Sequence, residues 1–209
     1  MPELRLPTRE QLKAAYERDL ASAFPPSERK PLGEILAELE RGEYRPWCLF
    51  DGDEILGEGF VWAHVPGYAV LDYLCVAEPR RNDGLGAVLL QKLAEEELRG
   101  HGTVLLGEAE LPALAPDRAM AERRLGFYRR CGARIAEYNV AIFGVPYHTL
   151  YWAEGNIDTS ALMEAHRETY RGSMPEDIYK RFIRIPWDAS MGTPEQSDWW
   201  EGDCEDTGL

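Results

Sequence analysis

Apolar positions along this chain switch between helical and strand spacing in an order that lays out most of a fold. Leu12, Ala15, Leu20 and Phe24 share one side of a helix predicted over Arg9 to Ala23, with Thr8 as its N-cap and Pro7 before it. Leu32, Ile35, Leu36 and Leu39 predict a second helix ending near Arg41. Arg45 to Phe50 and Glu54 to His64 read as two strands joined at Asp51-Gly52-Asp53, and Pro66-Gly67 makes the next turn. The run Ala69 to Val76 is short, apolar and β-branched, and predicts another strand. Leu85, Val88, Leu89 and Leu93 then recur at spacings of three and four, opposite Gln91, Lys92, Glu95, Glu96 and Arg99. They predict a helix that Gly100 and Gly102 stop. A strand over Thr103 to Leu111 ends at Pro112, and Ala115 to Arg130 mixes loop and helix. Arg134 to Phe143 and Tyr147 to Ala153 read as closing strands. Ser160 to Arg171 and Pro175 to Phe182 read as C-terminal helices, the first capped near Asp158 or Thr159. This order suits a mixed α/β sheet with one central crossover.

Composition narrows the class. The chain has 209 residues, 44% of them hydrophobic, enough for one domain with a sizeable core. That domain is expected over residues 1–187, with an acidic tail over 188–209. No apolar run is long enough to span a membrane, and the charged start Met1-Pro2-Glu3-Leu4-Arg5 lacks a leader's apolar core. Cys48, Cys75, Cys131 and Cys204 form no C-x-x-C pair, and the four histidines are scattered. Neither a metal site nor a disulfide framework is expected, and a reduced, cytoplasmic setting is. The tail carries Asp188, Glu195, Asp198, Glu201, Asp203, Glu205 and Asp206 with no Lys or Arg, which is half of the net charge of −14. The remainder is still acidic, which argues against a nucleic-acid partner and is compatible with a cationic amine. Trp199 and Trp200 are unusual in a solvating tail and suggest docking on the body or on a second copy, as in a homodimer.

The chemistry concentrates at Arg81-Asn82-Asp83-Gly84-Leu85-Gly86, between the Ala69–Val76 strand and the helix that follows. Amides at a helix N-terminus lack helical partners and favour phosphate, glycines let a ligand approach, and Arg81 adds a permanent cation. A Rossmann loop is excluded: Leu89 stands where a third glycine belongs, and the approach from Val76 is too long. No P-loop pattern is present. Val76, Arg81, Gly84 and Gly86 form V-x-x-x-x-R-x-x-G-x-G, which resembles the pyrophosphate-binding motif of the GCN5-related N-acetyltransferase (GNAT) superfamily. Downstream, Phe127-Tyr128-Arg129-Arg130-Cys131-Gly132-Ala133 resembles that family's helix-to-strand segment, except that Ala121 replaces an asparagine often found two turns earlier. Phe24 to Pro31, the paired acids Glu108-Ala109-Glu110 and a late strand beginning near Phe143-Gly144-Val145 resemble a bacterial subgroup.

The resemblance implies the GNAT fold, a mixed central sheet flanked by helices with a C-terminal helical extension. It also implies acetyl-CoA as co-substrate and direct acetyl transfer to an amine. Leu74, Cys75 and Val76 would pair with the pantetheine arm, and Arg81, Asn82, Asp83, Gly84, Leu85, Gly86 and Ala87 would receive the pyrophosphate. Asp83 is awkward beside an anion unless it faces solvent or caps the helix. Tyr128 would protonate the departing thiolate, for which a phenol with a pKa near ~10 is well matched. Glu108 and Glu110 point to the same face of a strand, and either is a candidate base, unless paired with Arg29 or Arg124. Phe24, Glu28, Arg29 and Tyr73 are candidate acceptor-binding residues, with Pro25, Pro26 and Pro31 stiffening their loop; Tyr138 is a further candidate. Cys75, inside an apolar strand, reads as a small hydrophobe rather than a nucleophile. The competing function is a catalytically silent acyl-CoA-binding module, and a protein terminus or lysine is a second acceptor class. The acceptor itself is not written in the sequence.

Overall fold

The computed structural model describes residues 2–195. Along the chain come β1 (Glu3–Arg5), α1 (Arg9–Ala15), α2 (Ala21–Ala23), α3 (Leu32–Glu40), β2 (Tyr44–Asp51), β3 (Glu54–Trp62), β4 (Tyr68–Val76), α4 (Leu85–Glu95) and β5 (Val104–Glu110). Then follow α5 (Arg118–Arg130), β6 (Arg134–Ile142), β7 (Val145–Trp152), α6 (Thr159–Gly172), α7 (Glu176–Phe182) and β8 (Ile183–Trp187). The strands form one sheet in the order β1-β2-β3-β4-β5-β7-β6-β8. Every neighbouring pair is antiparallel except β4 and β5, which α4 connects as the expected crossover.

Local chemistry sets the element ends. Thr8 Oγ1 accepts from the Gln11 amide while Gln11 Oε1 accepts from the Thr8 amide, a reciprocal cap for α1. The helix then widens into a π-turn at Tyr16–Leu20 before α2. Gly52 at φ +60° turns the β2–β3 hairpin, and Asp117 and Asp158 cap α5 and α6. Leu12, Leu20, Ile35, Leu162 and Tyr179 bury α1, α3, α6 and α7 in the core on one side of the sheet, while α4 and α5 join a second core that contains Leu90, Leu93 and Cys131.

Four features depart from the sequence reading. β1 and β8 were not expected; β8 follows the C-terminal helices and returns the chain to the sheet beside β6. The buried side of α4 is Leu89, Leu90, Leu93 and Ala94, whereas Leu85 and Val88 are only half-buried, because the helix starts at the rim of the sheet. The segment after Arg118 is a continuous helix. The described part of the acidic tail packs back on the body, with the Trp187 indole N–H donating to Gly192 O at 2.6 Å and Arg181 paired with Glu195. Trp199 and Trp200 lie outside the described residues.

Glu97, in the turn after α4, ties that helix to β2. It is fully buried and accepts from Arg45 Nε at 2.9 Å, Trp47 Nε1 at 2.8 Å and Thr103 Oγ1 at 2.8 Å. Burial alone raises its carboxyl, but the bonds from Arg45, Trp47 and Thr103 outweigh this and hold it below the ordinary value. Its stabilisation is therefore present above the ordinary carboxylate range and is lost as pH falls through the depressed value. Glu97→Ala strands a mostly buried guanidinium and should cost about 3–5 kcal/mol in urea unfolding at pH 7. The gap to the wild type should narrow in acid; a loss under 1 kcal/mol at pH 7 contradicts this account.

Candidate active site

β4 and β5 are paired only at Tyr68↔Val104, Ala69↔Leu105 and Val70↔Leu106. Beyond Leu106, β5 continues alongside β7 to Glu110↔Tyr147, while β4 stays with β3 to Gly57↔Val76. The register of β3 and β4 shifts between Phe60↔Tyr73 and Val61↔Leu71, leaving Asp72 as an extra residue. Such a bulge bends its strand and increases its twist. Asp72 is held by the Tyr44 hydroxyl at 2.6 Å and by Lys30 Nζ at 3.3 Å. The gap is a cleft of about 810 Å³.

One end of the cleft follows from backbone direction. The Ala77 amide donates to Leu56 O, toward β3. By strand alternation Val76 and Leu74 turn their amides and carbonyls to the open side. Arg81 Nε donates to Val76 O at 3.2 Å, so its guanidinium sits at that open edge. Asn82 and Gly84 adopt φ of 73° and 77°, and Gly84 is the N-cap of α4 with no side-chain cap bond. Asp83 therefore does not cap the helix; it is exposed and pairs with Arg80 at 3.6 Å. The Ala87 amide bonds Gly84 O at 3.1 Å, and the first-turn amides of Leu85 and Gly86 have no helical acceptor. A Cβ at Gly86 would make only ordinary contacts with Val76 and Phe127, so packing does not require that glycine. An open strand edge, free amides and an arginine in sequence fit a pantetheine arm followed by a pyrophosphate.

Tyr128, Glu108 and Glu110 line the same cleft. Tyr128 is half-buried at the end of α5, with its ring against Trp152 at 6.1 Å, and burial pushes its phenol above the ordinary range. Glu110 is paired with Arg124 at 2.8 Å. Glu108 Oε1 accepts from His166 Nε2 at 2.8 Å and the Tyr170 hydroxyl at 2.9 Å, while its Oε2 has no hydrogen-bond partner among the described residues.

At the other end of the cleft the Tyr73 hydroxyl accepts from the Lys30 amide at 2.7 Å and donates to Glu28 O at 2.9 Å. It fastens the Phe24–Pro31 loop to β4, with Phe24 edge-on to its ring at 5.1 Å. Phe24, Glu28 and Tyr73 line the cleft. Arg29 is not among the lining residues, and its Nε is buried without a hydrogen-bond partner. The Glu28 carboxylate has no ion pair among the described residues. Lys30, only 3% exposed, lies between Glu38 at 3.0 Å and Asp72, over the Trp62 ring at 3.5 Å. Sequence reasoning missed Lys30, Asp72, His166 and Tyr170. His166 carried one signal, a polar residue within the helical stripe Leu162, Ala165, Thr169, Tyr170.

A family model described as the acetyltransferase (GNAT) family matches residues 10–127, more than half of the chain. The chain belongs to the GNAT acetyltransferase family. Membership makes it an acetyltransferase with acetyl-CoA as co-substrate. It is 27% identical over 140 residues to YjcF of Bacillus subtilis (strain 168), an uncharacterized N-acetyltransferase, covering 66% of this chain and 89% of that one. A GNAT-family acetyltransferase structure from Bacteroides thetaiotaomicron superposes with a TM-score of 0.62 at 20% identity, over 82% of this chain and 98% of that one. Spermidine N-acetyltransferase from Vibrio cholerae, in complex with CoA and spermine, gives 0.56 at 9% identity, over 72% and 94%. At these identities the structural matches speak for the fold. Tyr128 and the helix carrying His166 and Tyr170 lie beyond the matched family segment. Among the described residues no cluster of three or more His, Cys, Asp or Glu could hold a metal, and no helix is long and apolar enough to cross a membrane.

Cys75 lies directly across β3 from Glu58, and its thiol donates to Glu58 Oε2 at 2.8 Å. Burial pushes the thiol well up, so it is inert. Burial, and then the Asp19 carboxylate, push Glu58 up to about 9. Glu58 is therefore protonated in the folded protein at neutral pH. In the unfolded chain it ionises near 4.5, so its contribution erodes stability between that pH and about 9. Glu58→Gln keeps the shape and removes the titration. Its stability relative to the wild type should rise steadily from pH 5 to pH 9 in denaturant melts; a constant difference across that range contradicts the assignment.

Proposed function

We propose that this protein moves an acetyl group from acetyl-CoA to a primary amine by direct attack, with Glu108 as proton acceptor and Tyr128 as proton donor. The observation that carries the reading is the cleft between the diverging strands, which has both side chains on its walls and Arg81 at its mouth. Bound acetyl-CoA supplies the acetyl group as an activated thioester. Leu74 and Val76 would hold its amide-bearing arm, and Arg81, Leu85 and Gly86 its pyrophosphate.

Of the paired acids, Glu110 is neutralised by Arg124, whereas Glu108 presents an uncommitted oxygen. At Glu108 Oε2 a proton leaves the acceptor's ammonium: an N–H bond breaks, an O–H bond forms, and the nitrogen lone pair is freed for attack. As the freed nitrogen attacks, a C–N bond forms and the C–S bond breaks; Tyr128, which keeps its proton at neutral pH, gives it to the departing sulfur, the second proton shed by the acetylated nitrogen restores the Tyr128 hydroxyl, and the proton on Glu108 passes to solvent. Direct attack is favoured over a covalent enzyme intermediate because the Cys75 thiol is buried and engaged by Glu58. Among the described residues Glu28 has no ion pair and Glu108 no lysine or arginine partner, and with Trp62, Tyr147 and Tyr170 they favour a small cationic amine.

Release of CoA thiol from acetyl-CoA across a panel of primary amines tests this reading. Tyr128→Phe should lower kcat by about 100-fold or more while acetyl-CoA affinity stays within threefold. Full transfer by the variant removes Tyr128 from the mechanism. Tight acetyl-CoA binding with no thiol release on any amine favours a binding module instead.

A further inference from the structure

The side chains behind Glu108 form a chain that leads out of the cleft into the core. His166, fully buried, bridges Glu108 Oε1 at 2.8 Å and the Tyr138 hydroxyl at 3.2 Å. An ionised carboxylate only accepts, so Nε2 carries the ring proton and Nδ1 accepts from Tyr138. Tyr170, one turn further along α6, donates to the same Oε1. Two donors on one oxygen fix the carboxylate's rotation and leave Oε2 toward the cleft. Two elements thus converge on the carboxylate of β5: α6 directly, and β6 through Tyr138.

We propose that His166 is a positioning residue for acetyl transfer, bonding Glu108 Oε1 and orienting the carboxylate so that Oε2 receives the acceptor's proton. This rests on the role given to Glu108 above. A hydrogen bond to the charged form of a carboxylate favours that form, and half-buried carboxylates need such support. The other titratable or charged groups around this cluster include Glu110 beside it on β5, Glu28 from the Phe24–Pro31 loop, Tyr147 from β7, Asp72 from β4, Arg167 from α6, and Arg124 and Tyr128 from α5. Among the described residues none of them hydrogen-bonds Glu108, so its donors are the two on α6. An imidazole within the apolar stripe of α6 serves packing less well than a leucine unless its nitrogens are used.

The test compares wild type, His166→Phe, His166→Gln and Glu108→Gln, using the amine that gives the fastest thiol release. Phenylalanine fills the space but donates nothing, whereas glutamine keeps an N–H in reach. His166→Phe should move the acidic limb of the kcat/KM profile up by roughly one pH unit and lower kcat about tenfold, with KM for acetyl-CoA unchanged. His166→Gln should restore most of both. An unmoved limb in His166→Phe, or equal loss in both variants without a shift, makes His166 structural and overturns the proposal. A Glu108→Gln variant with wild-type rate and limb overturns the role of Glu108 itself. Independently of turnover, the imidazole nitrogen spectrum of the wild type should show the ring proton on Nε2; a proton confined to Nδ1 also overturns the proposal.

Discussion

Two parallel strands joined at one end and free at the other need something to keep them apart, and in this protein Asp72 does so. As the extra residue of β4 it bends that strand just beyond its last pair with β5. Its carboxylate is fastened by Tyr44 and by Lys30, a lysine held in turn by Glu38 and the face of Trp62. A buried ammonium unpaired would cost several kcal/mol, so these five groups stand or fall together. The cleft, the open edge at Leu74 and Val76, and the separation of the Arg81–Gly86 loop from the proposed base Glu108 all depend on that divergence.

The same cluster links the cleft's two ends. Lys30 belongs to the Phe24–Pro31 loop, whose backbone is bonded to the Tyr73 hydroxyl on β4. The loop that walls the acceptor side is therefore anchored on the strand that would carry the pantetheine arm. On the far wall, β5 places Glu108 and Glu110 two residues apart, but their neighbours divide their roles. Arg124 engages one, while His166 and Tyr170 leave the other with a free oxygen.

The parts of this site that were legible in the sequence are those set by local spacing. Val76, Arg81, Gly84 and Gly86 fall within one strand, turn and helix start, and the backbone there follows from φ-permissive residues at Asn82 and Gly84. Tyr128 was singled out by the resemblance of Phe127 to Ala133 to the family's helix-to-strand segment, and Gly132, at φ 90°, ends its helix close by. What was not legible depends on distant partners. Nothing near Glu108 in sequence announces His166, 58 residues away, and nothing near Lys30 announces that a loop lysine will be buried against Asp72. β1 escaped because three residues carry no periodicity, and β8 because it follows α7 without a turn and contains Pro186.

Amide hydrogen exchange measured residue by residue, with and without acetyl-CoA, addresses the central claim most directly. The open side of β4 should be where the cofactor lies. The amides of Leu74 and Val76 should exchange rapidly in the free protein and slow at least tenfold on binding, together with Leu85 and Gly86, while Ala77, already bonded to Leu56, changes little. Saturating acetyl-CoA that leaves Leu74 and Val76 unprotected would contradict the account.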